Sequence, residues 1–225
     1  MKDLIDVLDY GFVRLVDHMG SDLSIVRAAR VSYDADWRTG EEEDKDAKLI
    51  NYLLRNKHTS PFESVTFTFE IKAPIFVLRQ WHRHRTWSYN EISARYAELP
   101  EEFYIPMAEH IGQQAAGNKQ MRTVEQHNDA LLFKDMMYKA DLAAFKAYKD
   151  MLTFGCPREL ARTVLPLATY SRMFATVDLH NLFHFLRLRI HEHAQYEIRV
   201  YAVAILELIE QIVPVSVKAW KESPV

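Results

Sequence analysis

The sequence predicts an α+β fold: one domain over residues 1–225, with a mixed or antiparallel sheet and long helices. Three observations predict it. Val65, Phe67, Phe69 and Ile71 alternate with Thr66, Thr68, Glu70 and Lys72, the period of a strand with one apolar and one wet face. Apolar residues recur at helical spacing over residues 124–154 and again over 194–213. No repeat, low-complexity tract or linker divides the chain.

In chain order, Phe12, Val13, Leu15 and Val16 make residues 11–19 a first strand. Gly20-Ser21-Asp22 is a turn able to cap a helix over 23–31, and Ser32-Tyr33-Asp34 ends it. The acidic run 41–46 opens a second helix, where negative charge suits the macrodipole, with Leu49, Ile50, Leu53 and Leu54 inward. A polar loop over 58–63 leads into the alternating strand, and Pro74 is placed to begin a helix through Leu78. That helix leaves a polar loop near Arg85. Residues 103–106 are extended, and 109–119, with two glycines, are a loop. A helix over 124–154 carries Leu131, Leu132, Met136, Tyr138, Leu142, Phe145, Tyr148 and Leu152; Gly155 ends it and Pro157 opens the next. Residues 168–177 are a strand, and Asp178 caps a helix through Leu188. The last helix, 194–213, turns Ile198, Tyr201, Ala202, Ile205, Leu208, Ile209 and Ile212 to a core or subunit contact.

Composition excludes several classes. A formal net charge of −3 argues against a dedicated nucleic-acid binder. The one cysteine, Cys156, permits no intramolecular disulfide, which agrees with a reducing cytoplasm. The most apolar region, 200–215, is broken by Glu207, Glu210 and Pro214, so no membrane span is expected, and residues 1–6 lack a signal-peptide run. The six glycines form no dinucleotide fingerprint or P-loop. Any phosphate must then be held by side chains and helix ends.

Against that background, residues 79–95 stand out, with four arginines, one carboxylate (Glu91), two histidines, two tryptophans and a tyrosine. Guanidiniums are costly in a core without partners, and planar donors beside aromatic rings suit a flat anionic ligand such as a nucleotide or flavin. Residues 178–199 are the second dense region. His180 and His184 stand at i, i+4, a metal-ligand spacing, but Asn181 replaces the glutamate of a zinc-hydrolase motif, so no metal is expected. Arg189 lies among Leu186, Leu188 and Ile190, where its fixed charge needs an anion or an ion pair with Glu192 or Glu197. Arg158 and Arg162 share a helical face as a surface pair. Ser93 has no nucleophile elbow, and Cys156 is a small apolar filler.

Arg83-His84-Arg85, seven residues and Ser93 resemble the Arg-His-Arg-x7-Ser signature of flavin-dependent thymidylate synthases. Further blocks at 27–32, 58–63, 73–77, 103–106, 157–166 and 186–197 are similar to the same family. The resemblance implies reductive methylation of dUMP to dTMP, with methylenetetrahydrofolate as one-carbon donor and NADPH reducing through bound FAD. It also implies a homotetramer with active sites at subunit interfaces.

Carried over by position, Gln80, Trp81, His82, Arg83, Glu91, Ile92, Ser93, Ala94, Arg95 and Arg162 bind dUMP. Ser60, Arg83, His84, Arg85, Glu91, Asp178, Leu179, His180 and His184 bind FAD, with contributions from Ser32 and His58. Arg189 lies against the uracil and stabilises its enolate-like form, so no enzymic nucleophile is needed. The departures are Asp178, His180 and His184, where some members have Asn, Arg and Asn; Asp178 beside a pyrophosphate requires a capping, ribose or adenine role. Two rivals remain: a metal hydrolase using His180, His184, His191 and His193, and a nucleic-acid module built on residues 79–95.

Overall fold

The computed structural model describes residues 2–223; Met1, Pro224 and Val225, included in the single-domain expectation, lie outside them. The strands are β1 (Leu4–Val7), β2 (Gly11–Met19), β3 (Thr66–Pro74), β4 (Ser88–Glu91), β5 (Gly112–Gln114), β6 (Arg122–Gln126) and β7 (Tyr170–Asp178). The helices are α1 (Asp22–Arg30), α2 (Glu43–Arg55), α3 (Ile75–Trp81), α4 (Ala130–Thr153), α5 (Arg158–Ala161), α6 (Leu179–Ile190), α7 (Tyr196–Glu210) and α8 (Pro214–Glu222). Five strands form one sheet in the order β1-β2-β3-β7-β4, every pair antiparallel, and β5 and β6 form a separate hairpin.

The alternation in β3 decides which face is buried. Phe67, Phe69 and Ile71 join Met173, Ala175 and Val177 of β7 in a core shared with α1, α2, α3, α6, α7 and α8. Each fully buried side chain of this size contributes roughly 1.5–3 kcal/mol. The opposite face departs from the wet one expected at Glu70, while Thr66, Thr68 and Lys72 are half-buried. Glu70 is buried there, 3.1 Å from Arg14 and 3.3 Å from Arg172, and Thr68 meets Thr176 at 2.9 Å. Cross-strand pairing in the register Arg14–Glu70 and Lys72–Arg172 brings these polar groups together.

Several helix boundaries differ from the periodicity. Pro74 closes β3, and α3 begins at Ile75. Ser21 is the N-cap of α1, whereas the Asp22 carboxylate accepts from the amides of Val215 and Ser216, both at 2.9 Å. It thereby caps α8, a helix hidden in the sequence by Pro214, which looked like a terminus. In the acidic run Asp46 is buried and bonded to Arg30 at 2.5 Å, so it serves more than the macrodipole. The polar loop of 109–119 contains β5, and Val124 belongs to β6, so the long helix starts at Ala130.

The far half of α4 is packed on this chain, and in the near half Ala130 is buried and Tyr138 meets Phe103 at 5.9 Å. Phe145 and Tyr148 fill a second, smaller core with Phe103 and Ala161, and Cys156 fills its edge as expected. Leu131 and Met136, expected inside, are 72% and 59% exposed, because the first half of α4 extends beyond that core. Among the described residues no helix is long and apolar enough to cross a membrane.

Gly11 is required by a close approach. A Cβ there would lie 2.0 Å from the Tyr201 hydroxyl, 2.6 Å from the Val7 carbonyl oxygen and 2.8 Å from that of Lys72. Tyr201 is fully buried and donates to the same Lys72 carbonyl at 2.7 Å, tying α7 to the sheet. Gly11→Ala is therefore expected to destabilise the fold by about 1–3 kcal/mol, read from urea unfolding. Gly11→Ala with Tyr201→Phe should recover little, since the two backbone oxygens remain.

Candidate active site

The segment over 79–95 is the end of α3, a tight turn and β4, not the open loop expected after Arg85. Its rings face inward. Trp81 is fully buried and stacked on Phe185 of α6 at 4.8 Å, and Trp87 lies 5.1 Å from the same ring. The Tyr89 hydroxyl donates to the carbonyls of Trp81 at 3.1 Å and His84 at 2.9 Å. The tryptophans therefore anchor the turn and offer no stacking face, and Trp81 presents no side-chain surface to dUMP. His82 packs edge-on against Tyr89 at 4.8 Å.

What this anchoring leaves outside is charged. Arg83 and Arg85 are exposed, and among the described residues neither guanidinium has an ion-pair partner. Arg189, in the last turn of α6, donates from Nε to His84 Nε2 at 3.0 Å and from Nη2 to the Gln80 carbonyl at 3.4 Å. It pairs with neither Glu192 nor Glu197, the acids expected as its alternatives. Burial lowers the Arg189 pKa from its ordinary value without a carboxylate to restore it. Burial, then Arg189 and His184, push the His84 imidazole down to about 4. His84 is thus neutral near pH 7, with its proton on Nδ1 because Nε2 accepts. Three of the five Arg189 N–H groups stay free for a ligand.

Beyond β4, Ser93 Oγ accepts from the Arg95 amide at 3.3 Å and its Nε at 3.4 Å, a positioning role with no base beside it. Glu91 accepts from the Ser171 hydroxyl at 2.6 Å; Ile92 is exposed, and Ala94 is buried. Gln80 donates to Gln195 Oε1 at 2.5 Å. Arg162 is exposed and, among the described residues, its guanidinium hydrogen-bonds only the Glu159 carbonyl, at 3.4 Å. Arg158 is a surface residue paired with Glu98 at 3.5 Å, as expected, whereas Arg162 has no ion-pair partner among the described residues.

A second group of expected residues assembles around a cleft of about 370 Å³ lined by Ser32, Tyr33, Tyr52, His58 and Ser60. Phe62, on the turn after Ser60, packs against Phe183 of α6 at 6.4 Å, bringing this cleft to the helix that carries His180 and His184. Asp178 is the N-cap of α6, accepting from the Asn181 amide at 2.9 Å, which is one of the roles expected for it. Leu179 is fully buried and offers only backbone to a ligand. His184 lies 6.2 Å from His84, joining this group to the Arg189 side. Among the described residues no three His, Cys, Asp or Glu side chains are grouped to hold a metal.

Three residues of the site's surroundings escaped the sequence: Arg122, Tyr104 and the true role of Glu197. Glu197 is buried, 2.8 Å from Arg122 and 3.1 Å from the Tyr104 hydroxyl. Arg122 sits on the unrecognised hairpin; the only sequence signal was a glutamate on an otherwise apolar stripe.

Unpaired guanidiniums on an α+β frame, with hydroxyls and imidazoles in an adjoining cleft, form a surface chemically suited to phosphorylated ligands. Comparison with known proteins makes the class particular. The family model described as thymidylate synthase complementing protein matches residues 14–215. The flavin-dependent thymidylate synthase of Thermus thermophilus is 52% identical over 221 residues, 97% of this chain and 78% of that protein. That of Thermotoga neapolitana is 46% identical over 216 residues, 96% of this chain and 93% of the relative. A UMP/dUMP methylase, PolB from Streptomyces cacaoi, solved with 5-Br dUMP, superposes with a TM-score of 0.87 at 37% identity, covering 97% and 98% of the two chains. The chain belongs to the family of flavin-dependent thymidylate synthases. It is an enzyme, a methyltransferase that depends on a flavin.

The depressed His84 pKa has a sign that can be tested. Between pH 6.5 and about 4 the unfolded chain takes up a proton that folded His84 refuses. Stability is therefore lost as pH falls through this window, by up to about 3 kcal/mol from this group. Urea midpoints of flavin-free protein should fall from pH 7 to pH 4.5 more in the wild type than in His84→Gln. Equal falls would remove His84 as the source.

Proposed function

We propose that the protein converts dUMP to dTMP, taking its one-carbon unit from methylenetetrahydrofolate and its reducing equivalents from NADPH through FAD. The observation that carries this is Arg189, a partly desolvated cation fixed by a neutral imidazole and opposed by no acid. Such a group suits developing negative charge on a pyrimidine oxygen. The similar PolB, a UMP/dUMP methylase solved with 5-Br dUMP, supports the substrate.

The residues present fit a flavin dinucleotide. Arg83 and Arg85 offer uncompensated donors for phosphate, and His58, Ser60, His180 and His184 supply further polar contacts. When bound, FAD supplies the hydride. The chain's own residues do the rest. Gln80, Arg83, Ser93, Arg95 and Arg162 hold the nucleotide, and Glu91 lies between nucleotide and flavin. Arg189 stabilises the enolate-like uracil and leaves C5 nucleophilic. His84 keeps the Arg189 guanidinium oriented and, being neutral, does not oppose its charge. With no base hydrogen-bonded to Ser93, nucleotide binding is its role here.

The active unit in this proposal is a cytoplasmic homotetramer with sites shared between subunits. Exposed Arg83, Arg85 and Arg162 and the exposed apolar half of α4 support a surface completed by another copy.

The purified protein is expected to show a flavin absorbance that bleaches with NADPH, and to form dTMP when dUMP and methylenetetrahydrofolate are added. A colourless protein that cannot be reconstituted with FAD overturns the proposal. Arg189→Ala should retain flavin and lose about 10²–10³-fold in turnover, the usual cost of one preorganised donor. Wild-type turnover in that variant would remove Arg189 from the chemistry.

A further inference from the structure

Glu197 opens α7, away from every residue assigned to the ligands, yet a chain of hydrogen bonds runs from it to Gln80. Its carboxylate is buried and held by Arg122 at 2.8 Å and the Tyr104 hydroxyl at 3.1 Å. Burial pushes its pKa up, but the Arg122 bond and charge and the Gln195 bond outweigh this and hold it below the ordinary value. An ionised carboxylate only accepts hydrogen bonds. The group that Gln195 turns towards it, at 2.8 Å, must therefore be its Nε2. That leaves Gln195 Oε1 on the other side, where Gln80 meets it at 2.5 Å and must in turn present Nε2. Gln80 Oε1 is what remains. One buried charge thus fixes the polarity of two successive amides, neither of which has a polarity preference of its own.

We propose that Glu197 and Gln195 are positioning residues that hold Gln80 with its carbonyl oxygen outward, so that it accepts from an O–H or N–H donor of the nucleotide. The inference rests on the proposed dUMP reading and deepens it. The complementary donors on dUMP are the 3′-hydroxyl and the uracil N3–H. The same polarity disfavours a ligand offering an acceptor at that place, since two oxygens would face each other. The hairpin of β5 and β6 acquires a role as well: Arg122, which keeps Glu197 ionised, is carried on β6.

The test uses flavin-loaded protein and measures dissociation constants for dUMP, 2′,3′-dideoxyuridine monophosphate and N3-methyl-dUMP. Gln195→Met is the principal variant, because Gln195 is exposed and its replacement does not threaten folding. Glu197→Gln is the second, since a side chain able to donate releases both amides to turn over. Each should weaken dUMP binding about tenfold, the loss of roughly one well-placed hydrogen bond. KM should rise more than kcat falls. The penalty should vanish for whichever analogue lacks the paired donor and persist for the other, which also identifies the donor. A merely structural role would penalise all three ligands alike, and that result, or no penalty with Gln195→Met, overturns the proposal. Wild-type protein that binds flavin but no dUMP would overturn the functional reading, and this inference with it.

Discussion

A guanidinium donating to a neutral imidazole is the contact on which the site depends. The bond from Arg189 to His84 joins the last turn of α6 to the turn that follows α3, two elements far apart in sequence. The sheet makes that meeting possible. Strands β3 and β7 are neighbours, each runs directly into its helix, and the rings of Trp81, Trp87 and Phe185 lock the two helices' surroundings together. A charged His84 would repel Arg189; a carboxylate in its place would neutralise it. A neutral acceptor does neither, fixing direction while leaving the positive charge available.

That choice is visible in how the chain treats its other arginines. Arg14 and Arg172 share buried Glu70, Arg30 is bonded to buried Asp46, and Arg122 to buried Glu197. In those pairs the acid removes the cation from chemistry, and breaking one would leave a buried charge unmatched. Arg83, Arg85 and Arg189 have no such acid among the described residues, in a protein whose formal net charge is −3. Of these, Arg189 differs from the exposed Arg83 and Arg85 in being partly desolvated while still unmatched.

Much of this was legible in the sequence, for definable reasons. The alternation of β3 and the stripe of α7 appeared as strong periodicities because the core enforces them on consecutive residues. Asp178 as a cap and the isolation of Arg189 among apolar neighbours were local signals, and both held. What escaped was decided by partners distant in the chain. The turn over Gly20-Ser21-Asp22 does cap α1, through Ser21, but the Asp22 carboxylate serves α8, far along the chain. Glu70 looked solvated because nothing local announced the two arginines across neighbouring strands. The aromatic residues at 81 and 87 seemed to offer a ligand platform, but their burial depended on Phe185 arriving from α6. Glu197 could be recognised as odd, yet its partner lay in a hairpin of weak pattern.

The exposed half of α4 gives the same problem at a larger scale. Leu131, Leu132, Met136, Tyr138 and Leu142 have the spacing of a buried face, and this chain covers them only in part. An exposed run of apolar side chains at helical period suits a packing partner, which fits the proposed contact with a further copy. Arg162 stands equally alone, a charged residue whose guanidinium hydrogen-bonds, among the described residues, only the Glu159 carbonyl three residues earlier. The proposed homotetramer would account for both features together. In it a second copy covers the apolar face and brings Arg162 to a phosphate bound largely by another chain, so that the ligand, and not the protein, supplies that guanidinium's anion.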